Sequence, residues 1–293
     1  MENNQEKTKK EKKEKKLSNF KKYIKHSFLK LSSFLITLCI LITCICVLIF
    51  CSTNLVKTKN INVNISSMDG IKIVHLSDFN GRIVKNLSKK VNDLKPDIVV
   101  ITGDLVDEYK TSEVDENKLL KQFKDITTDI YFVPGDMEHS YNNYEKLKEK
   151  MKKNGFHVLE NNSEKCMINN KTYTITGVLD PSFYSEDLEL FNKNLKTLSN
   201  ENNQILLSHR PELMNLYVEN NYKFVLSGHT HGGYVKLPFV GAIFASNQGV
   251  MPNYVDGKYT KNGTTMIVSS GIGVGQFPFR FFSFPKILNE KIN

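Results

Sequence analysis

The chain is 293 residues long and carries a formal net charge of +9, with 40% hydrophobic and 24% charged residues. That composition describes a folded core, and sixteen Gly with eight Pro exclude a collagen-like or linker protein. Residues 1–30 hold eleven Lys against four Glu, so most of the charge sits in that segment, the rest of the chain is close to neutral, and no nucleic acid is expected as a partner.

Residues 1–30 read as a Lys-rich cytoplasmic tail of low complexity. Residues 31–53 follow as a transmembrane signal anchor. No charged residue lies between Leu31 and Val56, and the densest part, FLITLCILITCICVLIFC, lacks any polar face. The Lys cluster before the span predicts a cytoplasmic N-terminus and an extracytoplasmic remainder, in a single-pass protein of the cell membrane. Cys39, Cys44, Cys46 and Cys51 lie in this stretch and Cys166 stands alone, so no disulfide framework is predicted. Residues 54–64 read as a polar connector, and residues 65–293 as one folded domain.

Within that domain, short apolar runs alternate with helix-like stretches. Strands are expected at Ile71–Leu76, Ile98–Thr102, Ile130–Val133, Thr172–Gly177, Gln204–Ser208, Phe224–Ser227 and Thr265–Ser269. Helices are expected at Asn86–Leu94, Asn117–Phe123, Tyr144–Asn154, Asp187–Leu198 and Glu212–Val218. The alternation predicts an α/β fold, with hairpins in the Gly-rich stretch 232–275.

The polar residues after each run carry the chemistry. They are Asp78-Phe79-Asn80, Gly103-Asp104-Leu105-Val106-Asp107, Gly135-Asp136-Met137-Glu138-His139, His209, and Gly228-His229-Thr230-His231-Gly232-Gly233. Ligand sites of open α/β sheets lie beyond the carboxyl ends of the strands. Carboxylates and imidazoles gathered there are ordinary ligands for divalent ions.

These motifs resemble the calcineurin-like metallophosphoesterases, in particular their membrane-anchored bacterial branch. The resemblance covers about residues 65–287 and is carried by GDLVD, SHRPE, SGHTHGG and Ser270-Gly271-Ile272-Gly273. It implies a four-layer αββα sandwich preceded by the anchor helix. It also implies two divalent ions: one held by Asp78, Asn80, Asp104 and His231, the other by Asp104, Asp136, His209 and His229. Asp104 would bridge the two. Asp107 would orient the GDLVD loop and Glu138 would support the site from behind.

Three positions depart from the family pattern. Asn80 stands in place of a His and Asp136 in place of an Asn. Met137 stands where the family has a His that protonates the leaving oxygen, with His139 the candidate substitute two residues on. One imidazole fewer and one carboxylate more favour Mn2+, with Mg2+, Fe or Zn2+ as other choices. The resemblance implies a metal-dependent phosphoesterase, in which a hydroxide bridging the ions attacks a phosphate mono- or diester carried by the membrane or the cell wall. The alternative is a degenerate relative that binds metal or phosphate ligands with little turnover. His26, His75 and His157 match no motif and are expected to be structural or surface residues.

Overall fold

In the computed structural model of the chain, every residue is described except Met1, Ser66, Ser67, Asp69, residues 108–112, residues 200–202 and Gln276. The chain divides into a unit ending at Leu48 and a unit spanning Ile49–Asn293. Helix α1 runs Glu2–Asn54. Among the described residues it is the one helix long and apolar enough to cross a membrane. The Lys-rich residues continue the same helix, because Lys and Glu are good helix formers and need no packed face.

The larger unit is built on two six-stranded sheets. In chain order its elements are β1 (Lys57–Val63), β2 (Ile71–Leu76), α2 (Leu87–Asn92), β3 (Ile98–Thr102), α3 (Glu113–Lys121), β4 (Ile130–Val133), α4 (Asp136–Ser140), α5 (Tyr144–Lys153), β5 (Phe156–Val158), β6 (Asn162–Ile168) and β7 (Lys171–Gly177). After these come α6 (Leu188–Leu198), β8 (Gln204–Leu207), α7 (Met214–Glu219), β9 (Phe224–Ser227), β10 (Lys236–Leu237), β11 (Gly241–Ala242), β12 (Phe244–Ala245), β13 (Gly249–Val250), β14 (Gly257–Lys261), β15 (Thr264–Val268) and β16 (Lys286–Ile292). The first sheet has the order β1-β16-β2-β3-β4-β5, and the second β14-β15-β9-β8-β7-β6. The central strands β2, β3 and β4 are parallel in one sheet, and β7, β8 and β9 in the other.

Burial explains the layering. One side chain set of the first sheet, including Ile73, Ile98 and Val100, packs on Ile175, Ile205 and Phe224 of the second. The opposite face of the first sheet packs on α2, α3 and α5 through Val91, Leu120 and Leu147. The outer face of the second packs on α6 and α7 through Phe191, Leu195 and Tyr217. Strands buried on both faces read as unbroken apolar runs, as IVVI in β3 does. The result is the αββα sandwich expected from the sequence.

The segment 54–64, expected to be a polar connector, is a correction. Residues Lys57–Val63 form edge strand β1, paired in parallel with β16. Only Ile61 and Val63 of KTKNINV reach the core, and the Lys and Asn residues stay at the solvent-facing edge. Such an edge strand has too little apolar alternation to be read locally. His75 is structural: its ring lies 3.0 Å from Glu290 Oε1 and 2.8 Å from Thr102 Oγ1, joining β16, β2 and β3 inside the first sheet. His157 meets the Glu164 carboxylate at 2.6 Å and stacks on Tyr131.

Asp256, just before β14, ties the sheet edge to the hairpins. Its carboxylate accepts from Lys236 at 2.9 Å and from Lys286, and Lys59 lies 3.8 Å away. Burial alone would raise its pKa, but the three ammonium groups outweigh burial and hold it at about 2 against an ordinary 3.8. A depressed carboxylate pKa stabilises the fold above the unfolded value, and that contribution is lost as pH falls from about 4 through 2. Asp256→Asn is therefore expected to cost about 2 kcal/mol at pH 7 and to flatten the acid limb of stability between pH 4 and 2, measured by denaturant titration.

Candidate metal centre

The carboxyl ends of β2, β3, β4, β8 and β9 converge on one edge of the sandwich. Each strand is followed within three residues by a Gly, Asp, Asn or His that turns the chain, and the turns are laced together. Asp78 N–H donates to Gly103 O at 3.0 Å, Asn80 N–H to Asp104 O at 2.9 Å, and Gly228 N–H to His209 O at 3.1 Å. Five residues on these turns have left-handed backbones without being Gly: Asp78, Asn80, Asp104, His229 and His231. Backbone of this kind is costly and concentrates where function requires it.

Two groups of side chains meet at this edge. Asp104, Asp136, His209 and His229 place one potential ligand atom each within 4.8 Å of one another, and Asp78, Asp104 and His231 do the same. Asp104 belongs to both. Its Oδ2 is 3.3 Å from His209 Nε2. Asp136 Oδ1 stands 3.1 Å from both His209 Nε2 and His229 Nδ1. Asp78 Oδ1 lies 3.7 Å from His231 Nε2, while its carboxylate accepts from His229 N–H at 2.9 Å. His209 Nδ1 donates to Thr102 O at 2.6 Å, which leaves Nε2 aimed at the carboxylates. A ligating imidazole needs this kind of fixed ring.

The polar atoms here are poorly satisfied. Both amide atoms of Asn80 and Nε2 of His229 are buried without a hydrogen-bond partner among the described residues. Burying such groups unpaired costs free energy, and a cation coordinated by the Asn80 carbonyl oxygen and the His229 nitrogen would remove that cost. The carboxylates are equally uncomfortable. Burial pushes Asp78 and Asp104 up to about 6. Asp136 would also rise on burial, but His229 and His209 draw it well below its usual range. His209, which burial alone would lower, is raised well above its ordinary value by Asp104 and Asp136. Protons shared this way fill the role that divalent charge fills, so the donor set fits hard or borderline divalent ions.

Two buried side chains shape the site: Glu138, expected there from the sequence, and Arg280, which no sequence motif singled out. Oε1 of Glu138 accepts from Leu105 N–H at 2.8 Å and Val106 N–H at 3.2 Å, and Oε2 from Asp104 N–H and Gly135 N–H at 2.8 Å each. All four partners donate, so only the ionised carboxylate satisfies them. Gly135 is required there because a Cβ would collide with Asp104 Oδ1. Arg280 is fully buried, donates to His231 O, Ser270 O and Gly273 O, and lies 3.2 Å from His231 Nδ1. It is the single charged residue of 271–285, a signal the sequence did carry. Burial lowers its pKa to about 10, which leaves it a cation. Burial, and then this guanidinium, hold His231 well below its ordinary value.

The remaining expected residues fall as follows. Asp107 is buried at the end of the GDLVD loop. Met137 N–H donates to Asp104 Oδ1 at 3.0 Å. His139 lies on α4 with its ring exposed and edge-on against Phe183, 5.1 Å between centroids.

Residues 71–233 match the model of the calcineurin-like phosphoesterases. The chain is 32% identical over 230 residues to the uncharacterized metallophosphoesterase YkuE of Bacillus subtilis strain 168, spanning 75% of this chain and 78% of that one. It is 31% identical over 230 residues to an uncharacterized metallophosphoesterase of Aquifex aeolicus strain VF5, spanning 74% and 83%. The solved structure of TT1561 from Thermus thermophilus is similar over 69% of this chain and 89% of its own, at 14% identity and a TM-score of 0.45. The chain belongs to the calcineurin-like phosphoesterase family.

Glu138→Gln replaces one acceptor oxygen by an amide that faces N–H donors. It is expected to weaken divalent-metal affinity about 10- to 100-fold, read by titration calorimetry, with the circular dichroism spectrum retained.

Proposed function

We propose that the chain is a metal-dependent phosphoesterase that holds two divalent ions, with Asp104 shared between them. The observation that carries this reading is the pair of ligand groups meeting at Asp104, beside the buried and unpartnered amide of Asn80. One ion would take Asp78, Asn80, Asp104 and His231, and the other Asp104, Asp136, His209 and His229. Bound there, the ions supply positive charge to the phosphoryl oxygens and lower the pKa of a water. Mn2+ is the favoured ion, because four of the seven donor residues offer oxygen and three offer imidazole nitrogen.

The chain's own residues have separate tasks. Glu138 fixes the GDLVD loop and the start of α4 as one rigid piece, so Asp104 and Asp136 keep their spacing. His209, locked by Thr102 O, presents a single nitrogen. Arg280 donates to the His231 backbone oxygen and lies against its ring, so it orients His231. With these Asp and His side chains committed to the ions, attack would fall to a water. Asp107 supports the loop that carries Asp104. Helix α1 serves as a signal anchor, with the Lys-rich end cytoplasmic and the larger unit outside. The substrate is then a phosphate mono- or diester presented by the membrane or the cell wall.

The full chain in detergent, loaded with Mn2+, is expected to hydrolyse nitrophenyl phosphate esters. Zn2+ is expected to support less activity than Mn2+. Asp104→Asn should lower kcat/KM by at least about 10³-fold and release both metals in elemental analysis, since one carboxylate serves two ions. Two metals bound with no turnover on any ester would mark a degenerate binder instead.

Met137 gives a second prediction. A thioether has no proton for a departing oxygen, and general acid catalysis is worth about 10²–10⁴-fold. Rates should fall steeply with leaving-group pKa, and Met137→His should accelerate alkyl esters much more than aryl esters. If His139 supplies the proton, the wild-type slope is shallow and steepens in His139→Ala.

A further inference from the structure

The hairpins between the candidate site and β14 have an unusual surface. Residues 237–255 contain no charged residue, in a chain where 24% are charged. They expose large apolar side chains: Phe239, in the turn between β10 and β11, is 109% exposed, and Val250 and Met251, at the end of the β12–β13 hairpin, are 73% and 57% exposed. The neighbouring loop adds Phe279 and Phe282, each 39% exposed. The two segments are one surface, since Lys236 N–H donates to Phe281 O at 2.8 Å and Phe281 N–H to Tyr234 O at 2.9 Å. Soluble proteins rarely leave a contiguous apolar patch of this kind in water.

The same loop is bonded to the end of the proposed membrane span. Phe282 N–H donates to Ser52 Oγ at 3.1 Å, and Arg280 N–H to Thr53 Oγ1 at 2.9 Å. Arg82 adds bonds to Thr53 O and Asn54 O, 2.8 Å each. Residues 31–53 as a helix are about 34 Å long, against about 30 Å of bilayer hydrocarbon. The span therefore ends within a few ångströms of Ser52, and the Phe279–Phe282 loop lies at that depth. Lys57, three residues past Asn54, sits 3.4 Å over the Phe284 ring, where its ammonium suits lipid phosphates.

We propose that the exposed hairpins of residues 237–251 and the Phe279–Phe282 loop form a collar that dips into the surface of the bilayer that α1 spans. The proposal rests on the anchor reading given above. The collar begins beside the candidate site: Tyr234 stacks on His231 at 4.9 Å and touches Phe277 at 4.9 Å. The mouth of the site is then held at headgroup height.

The chain contains no Trp, so a single introduced indole reports its own surroundings. The full chain would be reconstituted in phosphatidylcholine vesicles with and without brominated acyl chains, as Phe239→Trp, Leu41→Trp in the span, and Met167→Trp on edge strand β6. Phe239→Trp is expected to emit at shorter wavelength in vesicles and to lose about half or more of its intensity to brominated lipid, as Leu41→Trp does, while Met167→Trp stays water-like and unquenched. Quenching of Leu41→Trp without quenching of Phe239→Trp overturns the collar and leaves the anchor standing. That holds whether the Phe239→Trp indole is water-exposed or is covered by protein, such as a second copy of the chain. If Leu41→Trp is unquenched as well, the anchor reading fails and the collar fails with it.

Discussion

Glu138 accepts four backbone N–H groups drawn from two loops that follow neighbouring parallel strands, and the candidate site depends on that carboxylate being buried and ionised. Without it, the N–H groups of Asp104, Leu105, Val106 and Gly135 would sit in the protein interior with no acceptor. With it, the loop after β3 and the first turn of α4 are locked side by side. Asp104 then has a fixed position between the two ligand groups, and Asp136 is held within reach of His209 and His229. The left-handed backbone at Asp78, Asn80, Asp104, His229 and His231 is tolerated because the surrounding hydrogen bonds over-determine it.

Much of this was legible in the sequence, for a physical reason. The central strands are buried on both faces, so IVVI, IYFV and ILL are unbroken apolar runs, and their carboxyl ends must point to one edge when the strands are parallel. The polar residues after each run therefore mark the site in one dimension. The misses share another cause. Strand β1 pairs with β16 across more than two hundred residues, and edge strand β6, NSEKCMI, is largely exposed. Neither carries a burial pattern of its own. Glu138 was expected to support the site, but the four bonds that define its role come from a different loop and from Gly135. Arg280 stood alone as a charge among Gly and Phe, and only the folded chain brings it to His231.

The candidate site and the hairpins meet at the aromatic stack running from His231 through Tyr234 to Phe277. On one side are buried carboxylates and imidazoles that need cationic charge. On the other are hairpins free of charge and rich in exposed Phe, Val and Met. Few residues separate the clustered ligand groups from the exposed apolar hairpins. Backbone N–H groups of Arg280 and Phe282 donate to Thr53 and Ser52, which joins the Phe279–Phe282 loop to the last residues of α1.

The central claim is that Asp104 joins two divalent ions in one site. Electron paramagnetic resonance of the full chain carrying two equivalents of Mn2+ tests it most directly, because ions sharing a carboxylate are exchange-coupled and distant ions are not. The account predicts the multiline spectrum of a coupled manganese pair. A simple six-line spectrum of isolated Mn2+ at two equivalents bound, or no binding at all, would contradict it.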